Sequence, residues 1–246
     1  MCIRDRLLVE LGSGSSVKTR LLLDCLERPT AYVPVDISAE HLERTASLLR
    51  RDYPGVVVLP VAADFVRGFE IPPPPRPPAR TVVYFPGSTI GNFEGDDARD
   101  LLLAVRGAVG EGGGFLLGYD LIKSRAVLER AYDDELGVTA EFNKNLLARI
   151  NRELDGEFDL DLFEHVARWV PERSRMEIFL RSRVDQRVRV GARRYSFAAG
   201  ELIHTENSHK YDFEAIAGLA RRGGFSVEHT WTDDENMFAV SLLVAT

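Results

Sequence analysis

The strongest constraint on the fold sits near the start of the chain, where the apolar run Leu7-Leu8-Val9-Glu10-Leu11 passes directly into Gly12-Ser13-Gly14-Ser15-Ser16. A short apolar run reads as a buried strand, and glycines without Cβ atoms let the backbone bend sharply and approach a ligand closely. The unpaired N–H groups at the start of the next helix then face a small polar ligand. A cofactor site of this type asks for a carboxylate about twenty residues on, at the end of the second strand, to bind ribose hydroxyls. Tyr32-Val33-Pro34-Val35-Asp36 supplies it. The pair predicts a nucleoside-containing ligand, a dinucleotide or S-adenosylmethionine.

Two details bear on that choice. A dinucleotide turn asks for a third small residue packed against the pyrophosphate, whereas here the run continues to Val17-Lys18-Thr19. Glu10, just before the turn, is awkward beside a pyrophosphate but suits a ligand carrying an ammonium and a sulfonium, which favours S-adenosylmethionine. No glycine directly precedes Lys18-Thr19, so the segment is not a P-loop.

The pattern around the turn is a βαβ series: strands at about 7–11, 31–35, 56–61, 81–85 and 114–119, with helices at about 17–27, 38–51 and 95–108. Right-handed crossovers then place Gly12, Asp36 and Asp64 at the carboxyl edge of one parallel sheet. Pro72-Pro73-Pro74-Pro75-Arg76-Pro77-Pro78 reads as a stiff surface spacer. Beyond about residue 122 the periodicity changes, with helices at Ala126–Leu136 and Thr139–Leu154, then β-like alternation at Phe163–Val170, Met176–Val190 and Tyr195–Phe197. A helix at about 212–223 and strands at 225–231 and 237–245 follow, the two strands forming a hairpin that adds an antiparallel member to the sheet. The expected fold is α/β, a Rossmann-like class I methyltransferase layout with a mostly parallel sheet and an inserted α+β substrate lid. Its parts are a core at 7–132, a lid at 133–205 and a return to the core sheet at 206–246.

With 246 residues, 45% of them hydrophobic, the chain can bury one ample core with such an insertion. A net charge of -7 argues against nucleic acid as a partner, and Arg187, Arg189, Arg193 and Arg194 read as a solvated strand face. The two cysteines, Cys2 and Cys25, make neither a disulfide framework nor a cysteine zinc site and fit a reducing compartment. There is no long apolar span or signal-peptide pattern, so a cytoplasmic monomer without membrane contact is expected. Met1-Cys2-Ile3-Arg4-Asp5-Arg6 enters the first strand directly and is expected to be an assembly scar replacing a natural N-terminal segment.

Three further blocks carry candidate chemistry. Asp64-Phe65, at the end of the third strand, suits the amino group and face of adenine, or equally a helix cap beside a core phenylalanine. Phe85-Pro86-Gly87-Ser88-Thr89-Ile90-Gly91-Asn92-Phe93 ends the fourth strand. In an in-line methyl transfer Asn92 and exposed carbonyls there would accept hydrogen bonds from a nitrogen nucleophile, although asparagine after glycine is also an ordinary turn residue. In Glu201-Leu202-Ile203-His204-Thr205-Glu206-Asn207-Ser208-His209-Lys210-Tyr211 the spacing matches no zinc signature, and no metal is expected. If the segment is extended, Glu206 and Ser208 point to one side, placed to hold the two nitrogens of an imidazole; a polar loop is the competing reading.

At these residues the chain resembles the histidine Nα-methyltransferases of bacterial ergothioneine biosynthesis. The likeness runs from Glu10 to Leu243 and includes the glycine turn, Tyr32-Val-Pro-Val-Asp-Ile-Ser, the Phe85–Phe93 block, Ala131-Tyr-Asp-Asp, Phe142-Asn-Lys-Asn-Leu-Leu, Ile150-Asn-Arg-Glu-Leu and Ile203-His-Thr-Glu-Asn-Ser. The resemblance implies S-adenosylmethionine at Gly12, Lys18, Asp36, Asp64 and Phe65. It implies L-histidine held at its amino and carboxylate ends by Asn92 and Tyr132, with the Gly87 backbone near the amine. Glu206 and Ser208 would bind the imidazole, Met176 would line its pocket, and Asn207 would be a further substrate-binding residue. The implied product is trimethylhistidine, hercynine, made by three successive transfers. Methylation of tryptophan or tyrosine, or non-catalytic cofactor binding, are the alternatives. Family members add a pocket tyrosine from a further N-terminal segment, so this chain is expected to bind S-adenosylmethionine but to hold histidine weakly.

Overall fold

The computed structural model describes residues 6–14 and 17–246; the opening segment with Cys2, and Ser15-Ser16 of the glycine turn, lie outside the described residues. The chain divides into two compact units, one running to Leu121 and resuming at Tyr211–Thr246, the other Ile122–Lys210.

The first unit is built on a seven-stranded sheet. Its parallel strands are β1 (Arg6–Leu11), β2 (Ala31–Asp36), β3 (Val61–Ala62), β4 (Arg80–Phe85) and β5 (Gly114–Asp120). Helices α1 (Val17–Leu23), α2 (Ala39–Asp52) and α3 (Gly95–Val109) lie between them in sequence. The sheet order is β11-β12-β5-β4-β1-β2-β3, where β11 is Phe225–Thr232 and β12 is Phe238–Ala245. β12 runs antiparallel to both β5 and β11, so the hairpin read from sequence is present. Asp233 closes it by accepting from the Met237 and Phe238 amides at 2.6 and 3.3 Å.

Burial explains the uniform apolar runs. Central strands are covered on both faces, so Leu7 to Leu11 are all buried, as are Gly114 to Tyr119. The third strand departs from expectation: 56–61 does not form a full strand, and only Val61–Ala62 pairs with β2, with an isolated bridge from Tyr32 to Val58. Pro60 has no N–H to donate, and an edge strand has one neighbour to hold it. α1 is also shorter than predicted. α6 (Phe213–Arg222) starts as read, with Asp212 accepting from the Ala215 amide at 2.7 Å.

The second unit contains α4 (Arg125–Tyr132) and α5 (Val138–Glu153). It also has a three-stranded antiparallel sheet β10-β7-β6, made of β6 (Phe163–Val170), β7 (Arg175–Ser182) and β10 (Leu202–His209). The stretch read as one β-like run, Met176–Val190, is two strands, β7 and β8 (Gln186–Val190), and β8 pairs with β9 (Arg193–Phe197). β10 crosses the boundary drawn at 205/206: it pairs with β7 from Leu202 to His209, and the unit ends at Lys210. The core of this unit joins Leu147 of α5 to Phe158, Phe163, Leu180 and Val188. Phe158, Phe163 and Phe197 meet in edge-on and tilted pairs with centroids 5.6 to 6.1 Å apart. Of the basic hairpin residues, Arg189 pairs with Glu157 at 2.6 Å, while Arg187, Arg193 and Arg194 are exposed.

Candidate active site

In the first unit the glycine turn has the geometry its sequence asks for. Gly12 and Gly14 have φ of +67° and +46°, left-handed values that glycine adopts without a Cβ clash. The Gly12 amide donates to the Val35 carbonyl at 2.9 Å, which ties the turn to the end of β2. Asp36 continues that tie. One of its carboxylate oxygens accepts from Gly14 N at 3.2 Å and the other from Ser38 N at 3.0 Å. Each oxygen keeps a further lone pair, which suits a vicinal diol.

Phe65 comes next to the same turn: its ring edge is 3.8 Å from where a Cβ on Gly12 would stand, and it packs edge-on against Phe85 at 5.6 Å. Lys18 reaches from α1 to the end of β4, its Nζ 3.3 Å from the position of a Gly87 Cβ. Gly12, Lys18, Asp36, Phe65 and Gly87 are thus gathered at one edge of the sheet, with the missing Cβ atoms leaving the backbone approachable. This cradle fits a nucleoside-bearing ligand. Asp64 caps its own turn, accepting from Val66 N at 3.1 Å, and sits 3.4 Å from Arg67.

The loop after β4 passes through Gly87 and Ser88, both left-handed (φ 77° and 60°), into a single 3-10 turn, Thr89–Asn92. Ser88 Oγ accepts from Asp120 N at 2.9 Å, anchoring the loop to β5. Within that turn Ile90 and Gly91 are buried and Asn92 is exposed. Beneath the glycine turn, Glu10 is 2% exposed and accepts from the hydroxyls of Thr19 and Tyr32. Burial pushes its carboxyl up to about 7, against the pull of those hydrogen bonds and of Lys18. Burial, with the Glu10 charge adding to it, also raises the Tyr84 phenol to about 12.

In the second unit the register pairs Glu206 with Ile178 and Ser208 with Met176. Cross-strand partners share a face, so Glu206 and Ser208 lie on the same side as the buried Met176 and Ile178. Asn207 is on the opposite side, where its Oδ1 is 2.8 Å from His204 Nε2. Glu206 borders a cavity of about 340 Å³ lined also by Thr139, Phe142, Asn143, Ile178 and Thr205, within the range of small-ligand sites. Tyr132 and Ser208, 76 residues apart in sequence, have hydroxyl oxygens at 2.8 Å.

Sequence reasoning missed two supports of Tyr132. His165, on β6, has Nε2 2.7 Å from the Tyr132 carbonyl and Nδ1 3.0 Å from the Asn143 amide nitrogen. The carbonyl can only accept, so the ring carries its proton on Nε2 and takes the amide hydrogen on Nδ1. Lys210, 2% exposed, donates to Tyr132 Oη at 2.6 Å and Ser208 Oγ at 2.8 Å. The signal for Lys210 was present: 206, 208 and 210 continue one period-two alternation. Among the described residues no group of three or more His, Cys, Asp and Glu side chains is arranged to hold a metal ion, and no helix is long and apolar enough to cross a membrane.

Comparison with known proteins bears on the same features. The solved structure of an S-adenosylmethionine-dependent methyltransferase from Clostridium acetobutylicum superposes with a TM-score of 0.54 at 14% identity, covering 98% of this chain and 84% of that one. A glycopeptide N-methyltransferase complexed with S-adenosylmethionine gives 0.52 at 14% identity, covering 98% and 87%. These likenesses show the class I methyltransferase fold. Closer in sequence is the histidine N-alpha-methyltransferase of Mycobacterium tuberculosis, 44% identical over 96% of this chain and 74% of that protein. Its counterpart from Mycolicibacterium smegmatis is 42% identical with the same coverage. The ergothioneine biosynthesis protein 1 of Schizosaccharomyces pombe is 26% identical over 89% of this chain and 29% of its own length. A family model described as histidine-specific methyltransferase, SAM-dependent, matches residues 1–245. With the glycine turn, the strand-end carboxylate and the sheet order of that fold all in place, the chain belongs to the family of histidine-specific, S-adenosylmethionine-dependent methyltransferases.

Proposed function

We propose that this protein transfers methyl groups from S-adenosylmethionine to the α-amino nitrogen of L-histidine, giving trimethylhistidine for ergothioneine biosynthesis. The observation that carries the reading is that Glu206 and Ser208 share one sheet face, with Glu206 bordering a cavity of about 340 Å³. An imidazole has an N–H to give and a ring nitrogen to receive, and a carboxylate with a hydroxyl two residues along matches both. Glu206, a half-buried acceptor on that face, suits a side chain that donates to it.

The first unit is assigned the cofactor and the second the histidine side chain. Asp36 binds the ribose diol, Phe65 and Asp64 the adenine, and Gly12 and Lys18 the remainder of the cofactor. When bound, S-adenosylmethionine supplies a methyl carbon activated by its sulfonium. Asn92, with the Gly87 backbone, accepts hydrogen bonds from the substrate amine, which requires the unprotonated form and aims its lone pair away from the acceptors. Tyr132 is assigned to the amine end of the substrate through its ring face, which tolerates the cation that grows as methyls replace N–H groups. Met176 lines the imidazole side. Each transfer forms one C–N bond as one S–C bond breaks, so positioning carries the catalysis and no covalent enzyme intermediate is involved.

Incubation with S-adenosylmethionine and L-histidine, followed by mass spectrometry, is expected to show mono-, di- and trimethylated histidine. Methylation of tryptophan or tyrosine with histidine untouched would overturn the substrate. Cofactor binding with no methylated amino acid would overturn the catalytic reading.

A further inference from the structure

The buried lysine at the end of β10 takes no part in the assignments above, yet it touches two of their residues. Lys210 Nζ donates to both Tyr132 Oη and Ser208 Oγ, the two oxygens are themselves 2.8 Å apart, and the ammonium lies 4.6 Å from the centroid of the Tyr132 ring. An ammonium has donors and no acceptor, so both oxygens must spend a lone pair on it. The two hydroxyls have two protons between them. One lies between the oxygens, and the other has to leave the cluster. A phenol is intrinsically a stronger acid than an aliphatic hydroxyl and so the better donor of the two. Tyr132 therefore donates to Ser208, and Ser208 is left with its own O–H to give to a group outside the cluster.

Taking histidine as the substrate, we propose that Lys210 is a positioning residue for substrate choice: by occupying the acceptor sites of Tyr132 and Ser208 it makes Ser208 a fixed donor, so the pocket takes the imidazole by an acceptor nitrogen at Ser208 and an N–H at Glu206. A ring with two N–H groups meets a donor at Ser208 and is disfavoured, as is a ring lacking an acceptor. Ser208 without Lys210 could rotate its hydroxyl and serve either kind of ring.

The test is a double-mutant cycle on Lys210→Met and Ser208→Ala, read as kcat and KM for L-histidine at saturating S-adenosylmethionine. Cofactor affinity and thermal unfolding report whether each variant is folded. Loss of a charge-assisted contact predicts a rise in KM of about tenfold or more for Lys210→Met, with a smaller change in kcat. Because Lys210 acts through Ser208, the double variant is expected to be no worse than Ser208→Ala alone, within about twofold. Losses that multiply, or an unchanged KM in Lys210→Met, would overturn the proposal.

If Lys210→Met does not fold, Lys210→Leu, which likewise has no donor, takes its place in the cycle. A measurement on the unaltered protein stands beside it, comparing histidine with 2- and 3-pyrrolylalanine, which have a ring N–H but no acceptor nitrogen. Turnover of both at least about tenfold less efficient than that of histidine is expected, and equal turnover of either overturns the proposal. Unaltered protein that leaves histidine unmethylated refutes the substrate reading itself, whereas methylated histidine with multiplying losses refutes only the role of Lys210.

Discussion

Glu10 offers a direct check on the electrostatics beneath the glycine turn. Its carboxyl is 2% exposed, and burial raises its pKa from 4.5 to about 7 despite the Thr19 and Tyr32 hydroxyls bonded to it. Between those two values the unfolded chain releases this proton while the folded protein keeps it. The contribution of Glu10 is therefore fully present below pH 4.5 and is lost as pH rises through about 7. The loss amounts to about 3 kcal/mol. Glu10→Gln mimics the protonated acid: its amide oxygen still accepts from both hydroxyls, and it does not ionise. Urea unfolding of both proteins from pH 4.5 to 8 isolates the effect, because every other titrating group is common to the two. The variant should gain about 3 kcal/mol relative to the unaltered protein across that window. Curves that stay parallel, or a gap that narrows as pH rises, would refute the argument that burial governs this carboxyl.

Two changes test the packing that holds the first unit together. Gly223 sits where a Cβ would come within 2.4 Å of Leu102 Cβ, so Gly223→Ala should force α3 and α6 apart and cost about 1–3 kcal/mol in chemical denaturation. Asp212→Ala removes the side-chain cap on the Ala215 amide and should lower stability by about 1 kcal/mol, measured the same way, with Asp212→Asn largely restoring it.

The residues that proved easiest to read are those whose meaning is local. Leu7 to Leu11 are apolar at every position but Glu10 because β1 is covered on both faces, and Gly12 and Gly14 announce positive φ by their identity. Asp36 lies one strand later, and right-handed crossovers leave it one place to go. Where reading failed, a neighbour decided. Residues 56–61 are apolar enough for a strand, but Pro60 and an edge position reduced it to Val61–Ala62. Met176–Val190 reads as one β-like alternation, yet the chain turns within it, since β7 is filled by β6 and β10 on its two sides while β8 takes β9 as its partner.

The sequence by itself determined a parallel α/β core with a glycine turn and a strand-end acid, because hydrophobic period, glycine and crossover handedness are properties of short stretches. Tertiary structure alone decided that Glu206, Asn207 and Ser208 belong to a strand, with Asn207 on the face away from the other two. It also decided that Lys210 lies buried against Tyr132, 78 residues away in sequence. The pairing of β10 with β7 and the burial of an ammonium depend on contacts between distant segments. No local pattern encodes such contacts, and only the packed chain supplies them.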